Sequence, residues 1–81
     1  MKFLRRIGPN PHENGGDTPS AQGCPDLWEL DTGDIAIIGQ RVTTDLVSHL
    51  PATASCGADE EIVVIPRIQL LKARDAINDL M

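Results

Sequence analysis

The chain has 81 residues and carries 12 acidic against 7 basic side chains, a formal net charge of −5. This length allows one small domain and excludes an enzyme built from separate cofactor and lid domains. Because Phe3 and Trp28 are the only aromatic residues, the sequence also argues against a surface that stacks nucleic-acid bases, and the negative charge argues against phosphate binding. We therefore expect a non-enzymatic protein with a protein partner and no nucleic-acid partner.

The charge and the composition divide the chain near residue 25. Residues 1–25 have a net charge of +1, whereas residues 26–81 have a net charge of −6. Residues 8–25 contain four prolines and four glycines, and this composition buries too little apolar surface to offset the entropy of ordering. The sequence thus predicts a flexible N-terminal arm over residues 1–24, frayed at residues 1–7, and a folded domain over residues 25–81.

Targeting signals are not evident in the sequence. The first residues resemble the charged start of a signal peptide, but no apolar run of ~7–15 residues follows them. No segment approaches the ~18–20 apolar residues that a membrane span requires. We expect a cytoplasmic protein without a membrane partner, and in that reducing compartment Cys24 and Cys56 are expected to be thiols rather than a disulfide.

A β-hairpin is the clearest local prediction. The segment Leu27-Trp28-Glu29-Leu30 places apolar side chains on one face and an acidic one on the other, as in a half-buried strand. Asp31-Thr32-Gly33-Asp34 supplies turn-forming residues around a glycine that tolerates a positive φ. Ile35–Ile38 is continuously apolar, which favours a strand that is covered on both faces or lies centrally in the sheet.

Two helices and a further strand are predicted after the hairpin. Residues 43–50 begin with a hydroxyl cap and stop at Pro51, which indicates a helix of about two turns. Residues 61–65 form a β-branched run typical of a central strand. A last helix is predicted from Pro66 to Asp79, with one apolar stripe that consists of Leu70, Ala73, Ile77 and Leu80.

These elements predict an α+β fold: a small three-stranded, mainly antiparallel sheet with a short helix and a C-terminal helix packed on it. The expected core consists of Trp28, Leu30, Ile35, Ile37, Leu46, Leu50, Val63, Ile65, Leu70, Ala73 and Ile77. A core of this size stabilises a chain by roughly 3–5 kcal/mol. Dimerisation or a bound partner would add to that stability, so a homodimer is one expected state.

Five residues are the candidate partner-binding site. Ile68 and Leu71 lie off the predicted apolar stripe of the last helix, where they can either pack on the sheet edge or meet another chain. Asp59, Glu60 and Glu61 flank the strand at residues 61–65 and make that region acidic. An acidic field attracts basic partners, so these residues are expected to bind a protein with a basic surface.

An enzymatic alternative rests on Asp31. Leu30-Asp31-Thr32-Gly33 resembles the Asp-Thr-Gly signature of retroviral-type aspartic proteases, in which two carboxylates at a dimer axis share a proton and activate water. The resemblance implies a minimal dimeric aspartic hydrolase. That family places Ala or Ser after the glycine, where this chain has Asp34, and a hairpin turn explains the same residues.

A second alternative is a redox- or metal-responsive switch through Cys24 and Cys56. Together with His12 and His49 they would supply four zinc ligands by number, but they lack the short paired spacing of zinc sites. The sequence has neither a glycine-rich phosphate loop nor a dinucleotide-binding fingerprint. We therefore expect no metal and no cofactor.

Three strings resemble a known group of proteins. They are Gly23-Cys24-Pro25-Asp26, Leu30-Asp31-Thr32-Gly33-Asp34 and Ile62-Val63-Val64-Ile65-Pro66-Arg67. In this order the chain resembles small acidic actinobacterial proteins of unknown biochemical function. More loosely, it is similar to the short developmental-regulator domain encoded beside helix-turn-helix regulators in those bacteria. The resemblance implies a small partner protein that binds and modulates a transcription regulator, with a homodimer as one form.

Overall fold

The predicted α+β class is confirmed. A computed structural model describes residues 1–10 and 24–80, which form two antiparallel sheets and short helices. The strands are β1 Phe3–Arg6, β2 Asp26–Leu30, β3 Ile35–Ile38, β4 Gln40–Arg41 and β5 Val63–Val64. The helical elements are α1 Thr43–Leu46, a 3₁₀ turn Val47–His49, α2 Arg67–Lys72 and α3 Arg74–Asn78.

The third strand of the main sheet comes from the N-terminus. The sheet has the order β1-β2-β3, and the ladder between β1 and β2 extends to Ile7, whose N–H donates to the Leu27 carbonyl at 2.8 Å. The prediction of a frayed end at residues 1–7 is therefore wrong. These residues form a strand because charges pair across the ladder. Arg5 of β1 lies opposite Glu29 of β2, with 2.7 Å between Arg5 Nε and Glu29 Oε1. Residues 11–23 of the predicted arm lie outside the described residues.

The predicted hairpin turn is present between β2 and β3. The Gly33 N–H donates to the Leu30 carbonyl at 3.0 Å, and the Leu30 N–H donates to the Asp34 carbonyl at 2.9 Å. Gly33 has φ +90°, a left-handed conformation that glycine adopts without strain. This combination is a three-residue hairpin loop, in which a turn is followed by a glycine bulge.

The prediction that β3 is central or covered on both faces is wrong. Within the described residues β3 pairs only with β2, and it forms one edge of the sheet. Its side chains Ile37 and Ile38 are 50% and 47% exposed. The reason is that β1 occupies the other side of β2, while the run at residues 61–65 forms only the short strand β5, which pairs with β4 in a second sheet.

The short helix after β4 is present as α1 and the 3₁₀ turn, and it ends before Pro51. The predicted hydroxyl cap is wrong, because α1 begins without a side-chain cap. The Thr43 hydroxyl instead accepts a hydrogen bond from the Ile62 N–H at 2.8 Å and donates to Glu61 Oε1 at 2.7 Å. Thr43 therefore fastens α1 to the segment that leads into β5.

The C-terminal helix is divided at Ala73, and its packed face matches the predicted stripe only in part, at Ala73 and Leu80. Gln69 and Ala73 are fully buried, whereas Leu70 and Ile77 of the predicted stripe are exposed. A Cβ atom at Gly8 would lie 2.9 Å from the Ala73 Cβ, so the backbone after β1 touches the helix where both residues are small. Ala73 fits at this close approach because a larger aliphatic side chain would collide with the backbone at Gly8.

The core lies between β2 and the C-terminal helices. It consists of Ile7, Leu27 and Ala73, against which Ile65, Ala76 and Leu80 pack. Of the predicted core, Leu30 and Ala73 are buried, and the partly buried members are Trp28, Leu50 and Ile65. The prediction was wrong for the exposed members, which are Ile35, Ile37, Leu46, Val63, Leu70 and Ile77. They are exposed because the C-terminal helices cover the Ile7–Leu27 side of the sheet rather than β3.

Candidate functional site

Exposed apolar side chains are the main candidate for a functional surface. A folded chain normally exposes single aliphatic residues, but a contiguous exposed set marks an interaction surface. Three separate elements expose such residues: β3 with Ile35, Ile37 and Ile38, β5 with Val63 and Val64, and α2 with Ile68, Leu70 and Leu71. Apart from Pro25, the described apolar residues that are buried are fewer, namely Ile7, Cys24, Leu27, Leu30 and Ala73.

The outer face of α2 carries the predicted pair Ile68 and Leu71. They are three residues apart, so they are neighbours on one face of the helix, and they are 43% and 60% exposed. The buried residues Gln69 and Ala73 lie on the face that is turned towards the sheet. Both predicted residues thus lie on the side of α2 that the rest of the chain leaves uncovered, and their role in binding stays a prediction.

The predicted acidic residues Asp59, Glu60 and Glu61 lie exposed in the segment before β5. Glu60 Oε1 accepts a hydrogen bond from the Gly57 N–H at 2.7 Å, which closes the turn at residues 57–60. Glu61 is held by the Thr43 hydroxyl described above. Both donors are uncharged, so the segment keeps its negative charge. The structure places these acids on a different segment from Ile68 and Leu71.

Asp31, the candidate catalytic residue, holds β1 against the hairpin turn. Its Oδ1 accepts a hydrogen bond from the Lys2 backbone N–H at 3.0 Å, and its own N–H donates to the Lys2 carbonyl at 2.9 Å. Both contacts join the start of β1 to the first residue of the turn. They give Asp31 a structural role, while the aspartic hydrolase stays an untested alternative.

Cys24, Cys56 and His49, the described members of the candidate zinc set, do not form a cluster. Cys24 is buried just before β2, and Cys56 is partly buried in the segment before β5, with no disulfide between them. His49 lies in the 3₁₀ turn, and His12 lies outside the described residues. Across residues 1–10 and 24–80, no three side chains of His, Cys, Asp or Glu come close enough together to hold a metal ion.

Arg6 organises a cluster that the sequence did not reveal. Its guanidinium binds both carboxylate oxygens of Asp26, with 3.0 Å from Nε to Oδ1 and 3.0 Å from Nη2 to Oδ2. The same group lies 4.5 Å from the centre of the Trp28 ring, a cation–π contact. Phe3 meets Trp28 edge-on with 5.4 Å between the ring centres. Both aromatic side chains of the protein thus lie on this face of the sheet.

The environment of Asp26 lowers the pKa of its carboxyl group. Burial alone would raise the pKa, but hydrogen bonds from Arg6 and Trp28, the positive charge of Arg6 and the Leu27 N–H together outweigh it. Asp26 is therefore a charged structural anchor. The two arginines of Phe3–Arg6 and the two acidic residues of Asp26–Leu30 are the sequence signal from which this pairing could have been found.

A small pocket lies where the two sheets meet. It has a volume of about 280 Å³ and is lined by Pro25, Gly39, Gln40, Val64 and Pro66. None of these lining side chains is ionisable, so the pocket offers no acid, base or nucleophile. We interpret it as the gap between the start of β2 and the end of β5.

No protein-family model, curated protein or solved structure matches this chain. Within the part of the chain that the structure describes, no helix is long and apolar enough to cross a membrane.

Proposed function

We propose that this chain is a non-enzymatic protein-interaction module that binds and modulates a regulatory protein of the helix-turn-helix type. The observation that carries the proposal is the exposure of Ile68 and Leu71 on the outer face of α2, opposite the buried Gln69 and Ala73. Leu70 is also exposed on this helix. A partner protein that covers these side chains removes apolar surface from water, and this burial stabilises the complex.

The charge supports a basic partner. Residues 26–81 carry a net charge of −6, and the acids at residues 59–61 lie exposed. A DNA-binding regulator needs a basic surface for its contacts with phosphates, and an acidic module is attracted to that surface. Competition with DNA for the same basic surface is the mode of modulation that this charge favours. The resemblance noted above adds a helix-turn-helix regulator as the specific partner class.

The experiment compares two double variants of matched chemistry. Ile68→Lys with Leu71→Lys alters the α2 surface, and Leu46→Lys with Val47→Lys alters equally exposed aliphatic side chains on α1 and the 3₁₀ turn. The probe is a purified helix-turn-helix regulator from the same genome, titrated by calorimetry with its operator DNA as competitor. The α2 variant is expected to weaken binding at least about tenfold, as loss of an interface centre does.

The control variant is expected to bind the regulator as the wild type does, because its substitutions lie on another element. Equal affinity of the α2 variant and the wild type would overturn the assignment of this surface. Failure of the wild type to bind any of the regulators encoded in that genome would overturn the proposed partner class.

A further inference from the structure

The charge on α2 has the opposite sign to the charge on the rest of the folded domain. Residues 26–66 contain eight acidic residues and one basic residue. α2, in contrast, carries the two cations Arg67 and Lys72 and no acidic residue. Both cations are exposed. The exposed apolar side chains of α2 therefore lie in a locally positive part of an acidic chain.

Helical geometry places these two cations on either side of the exposed aliphatic pair. Successive residues of an α-helix are about 100° apart around its axis. The order across the outer face is therefore Arg67, Leu71, Ile68 and Lys72, which together span about 140°. Each cation is four residues from one aliphatic residue, a spacing at which side chains are neighbours on a helix surface. The buried Gln69 lies on the opposite side of the helix.

The acidic residues that follow α2 leave this positive charge in place. Within the described residues Arg67 takes part in no ion pair. Arg74 and Asp75 of α3 pair with each other, with 3.4 Å between Nε and Oδ1, so together they add no net charge. Asp79 comes only after the end of α3. A protein that covers the aliphatic pair therefore meets a cation on each side of it.

We propose that α2 binds an apolar surface edged with carboxylates, so that the regulator docks on α2 with a region other than its basic DNA-binding surface. The inference rests on the proposed function and adds the chemistry of the partner at this site. Carboxylates beside Arg67 and Lys72 form ion pairs while the aliphatic side chains are covered. A basic surface would instead bring like charges together, and charges at an interface discriminate between partner surfaces in this way.

The exposed acids at residues 59–61 then contact a different part of the regulator. Their negative charge attracts the basic DNA-binding surface, while α2 binds the apolar surface edged with acids. Two contacts of opposite sign on one partner fix its orientation, because each contact repels the surface that suits the other.

The test uses the sign of a change in affinity. Arg67→Glu and the control Arg41→Glu each lower the net charge by two, and both arginines are exposed and outside the ion pairs of the described residues. Attraction of the whole acidic chain to a basic regulator predicts that both variants bind more tightly than the wild type. An acidic contact at α2 predicts instead that Arg67→Glu binds about fivefold more weakly, while Arg41→Glu binds at least as tightly as the wild type.

The measurement is calorimetric titration of the purified helix-turn-helix regulator with each full-length variant. Arg67 is the first residue of α2, where an acidic side chain is favourable, so Arg67→Glu is expected to keep the circular-dichroism spectrum of the wild type. Adding Lys72→Glu is expected to weaken binding further, to about tenfold below the wild type. A regulator that binds the wild type and the Arg67→Glu variant equally, or the variant more tightly, would overturn the inference and leave the proposed function in place.

A pair of synthetic peptides tests the same chemistry without the regulator. Both are amphipathic helices with one leucine stripe, which is flanked by Glu in the first peptide and by Lys in the second. The Glu peptide is expected to shift the NMR amide signals of residues 67–72 at concentrations at least about tenfold lower than the Lys peptide does. Equal shifts from both peptides, or no shift from the Glu peptide, would contradict the inference. If the wild type bound no regulator, the proposed function would fail and this comparison would still decide the chemistry of α2.

Discussion

The Arg6 guanidinium holds the Asp26 carboxylate through two nitrogens, each 3.0 Å from a different carboxylate oxygen. Asp26 is buried, while Arg6 is partly exposed above the Trp28 ring. A buried carboxylate is costly unless it is paired, and Arg6 supplies both charge and hydrogen bonds. This ion pair therefore couples the N-terminal strand to β2, so residues near the start of the chain belong to the folded unit.

Arg6→Met is expected to destabilise the fold by about 2 kcal/mol, because it leaves the buried Asp26 without its charged partner. The matched control is Arg5→Met. Arg5 pairs with Glu29 on the same strand, but that pair is more exposed to water, and such pairs contribute ~0–1 kcal/mol. Urea denaturation of both variants measures the difference. Equal losses would show that Arg6 contributes no more than a surface charge.

The lowered pKa of Asp26 predicts an acid dependence of stability. A carboxyl whose pKa is lower in the folded state stabilises the fold above its unfolded pKa, about 3.9, and this contribution is lost as the pH falls through the folded value. At neutral pH the wild type is expected to be more stable than Asp26→Asn, and the gap should narrow below about pH 4. Urea titrations across this range provide the measurement, and a constant gap would contradict the assignment.

Substitution of the two glycines with positive φ distinguishes the cost of backbone strain from the cost of a steric clash. Gly8 has φ +84° and lies against Ala73, whereas Gly33 has φ +90° with open space around it. Gly33→Ala is expected to cost about 1–2 kcal/mol from backbone strain alone. Gly8→Ala should cost clearly more, because the new Cβ atom would lie 2.9 Å from the Ala73 Cβ. Equal melting temperatures of the two variants would contradict this contact.

Gln69 is a buried polar side chain whose amide nitrogen and oxygen lack hydrogen-bond partners among the described residues. Leaving such groups unpaired costs about 1–3 kcal/mol. Gln69→Met keeps the length of the side chain and is expected to raise the free energy of unfolding by about that amount. Gln40→Met, at an exposed position, is the control and should change little. A destabilised Gln69→Met variant would show that the amide has a partner.

The parts of the fold that the sequence predicts are those that local chemistry determines. The turn at Asp31–Asp34 needs a residue with positive φ at one position, and Gly33 supplies it. The helical segment after β4 ends before Pro51 for an equally local reason. The α+β class follows from these elements, because their types do not depend on which distant segments they contact.

The wrong predictions concern contacts between distant segments. β1 depends on pairing with residues 26–30 across the polar segment that separates them, and its own composition gives no strong strand pattern. Once β1 occupies that edge, β3 becomes the opposite edge rather than the centre. The packed helix face keeps Ala73 of the predicted stripe but buries the polar Gln69, which hydrophobic periodicity does not predict. Ile68 and Leu71 lie off both the predicted and the observed buried stripe, and their role in binding stays a prediction.

The central claim is that the outer face of α2 is a surface for another protein molecule, because Ile68 and Leu71 are exposed there. The most direct measurement is calorimetric titration of a purified helix-turn-helix regulator with the wild type and with the Ile68→Lys, Leu71→Lys variant. The account predicts that the wild type binds and that the variant binds at least about tenfold more weakly. Equal affinity of the two proteins would contradict it.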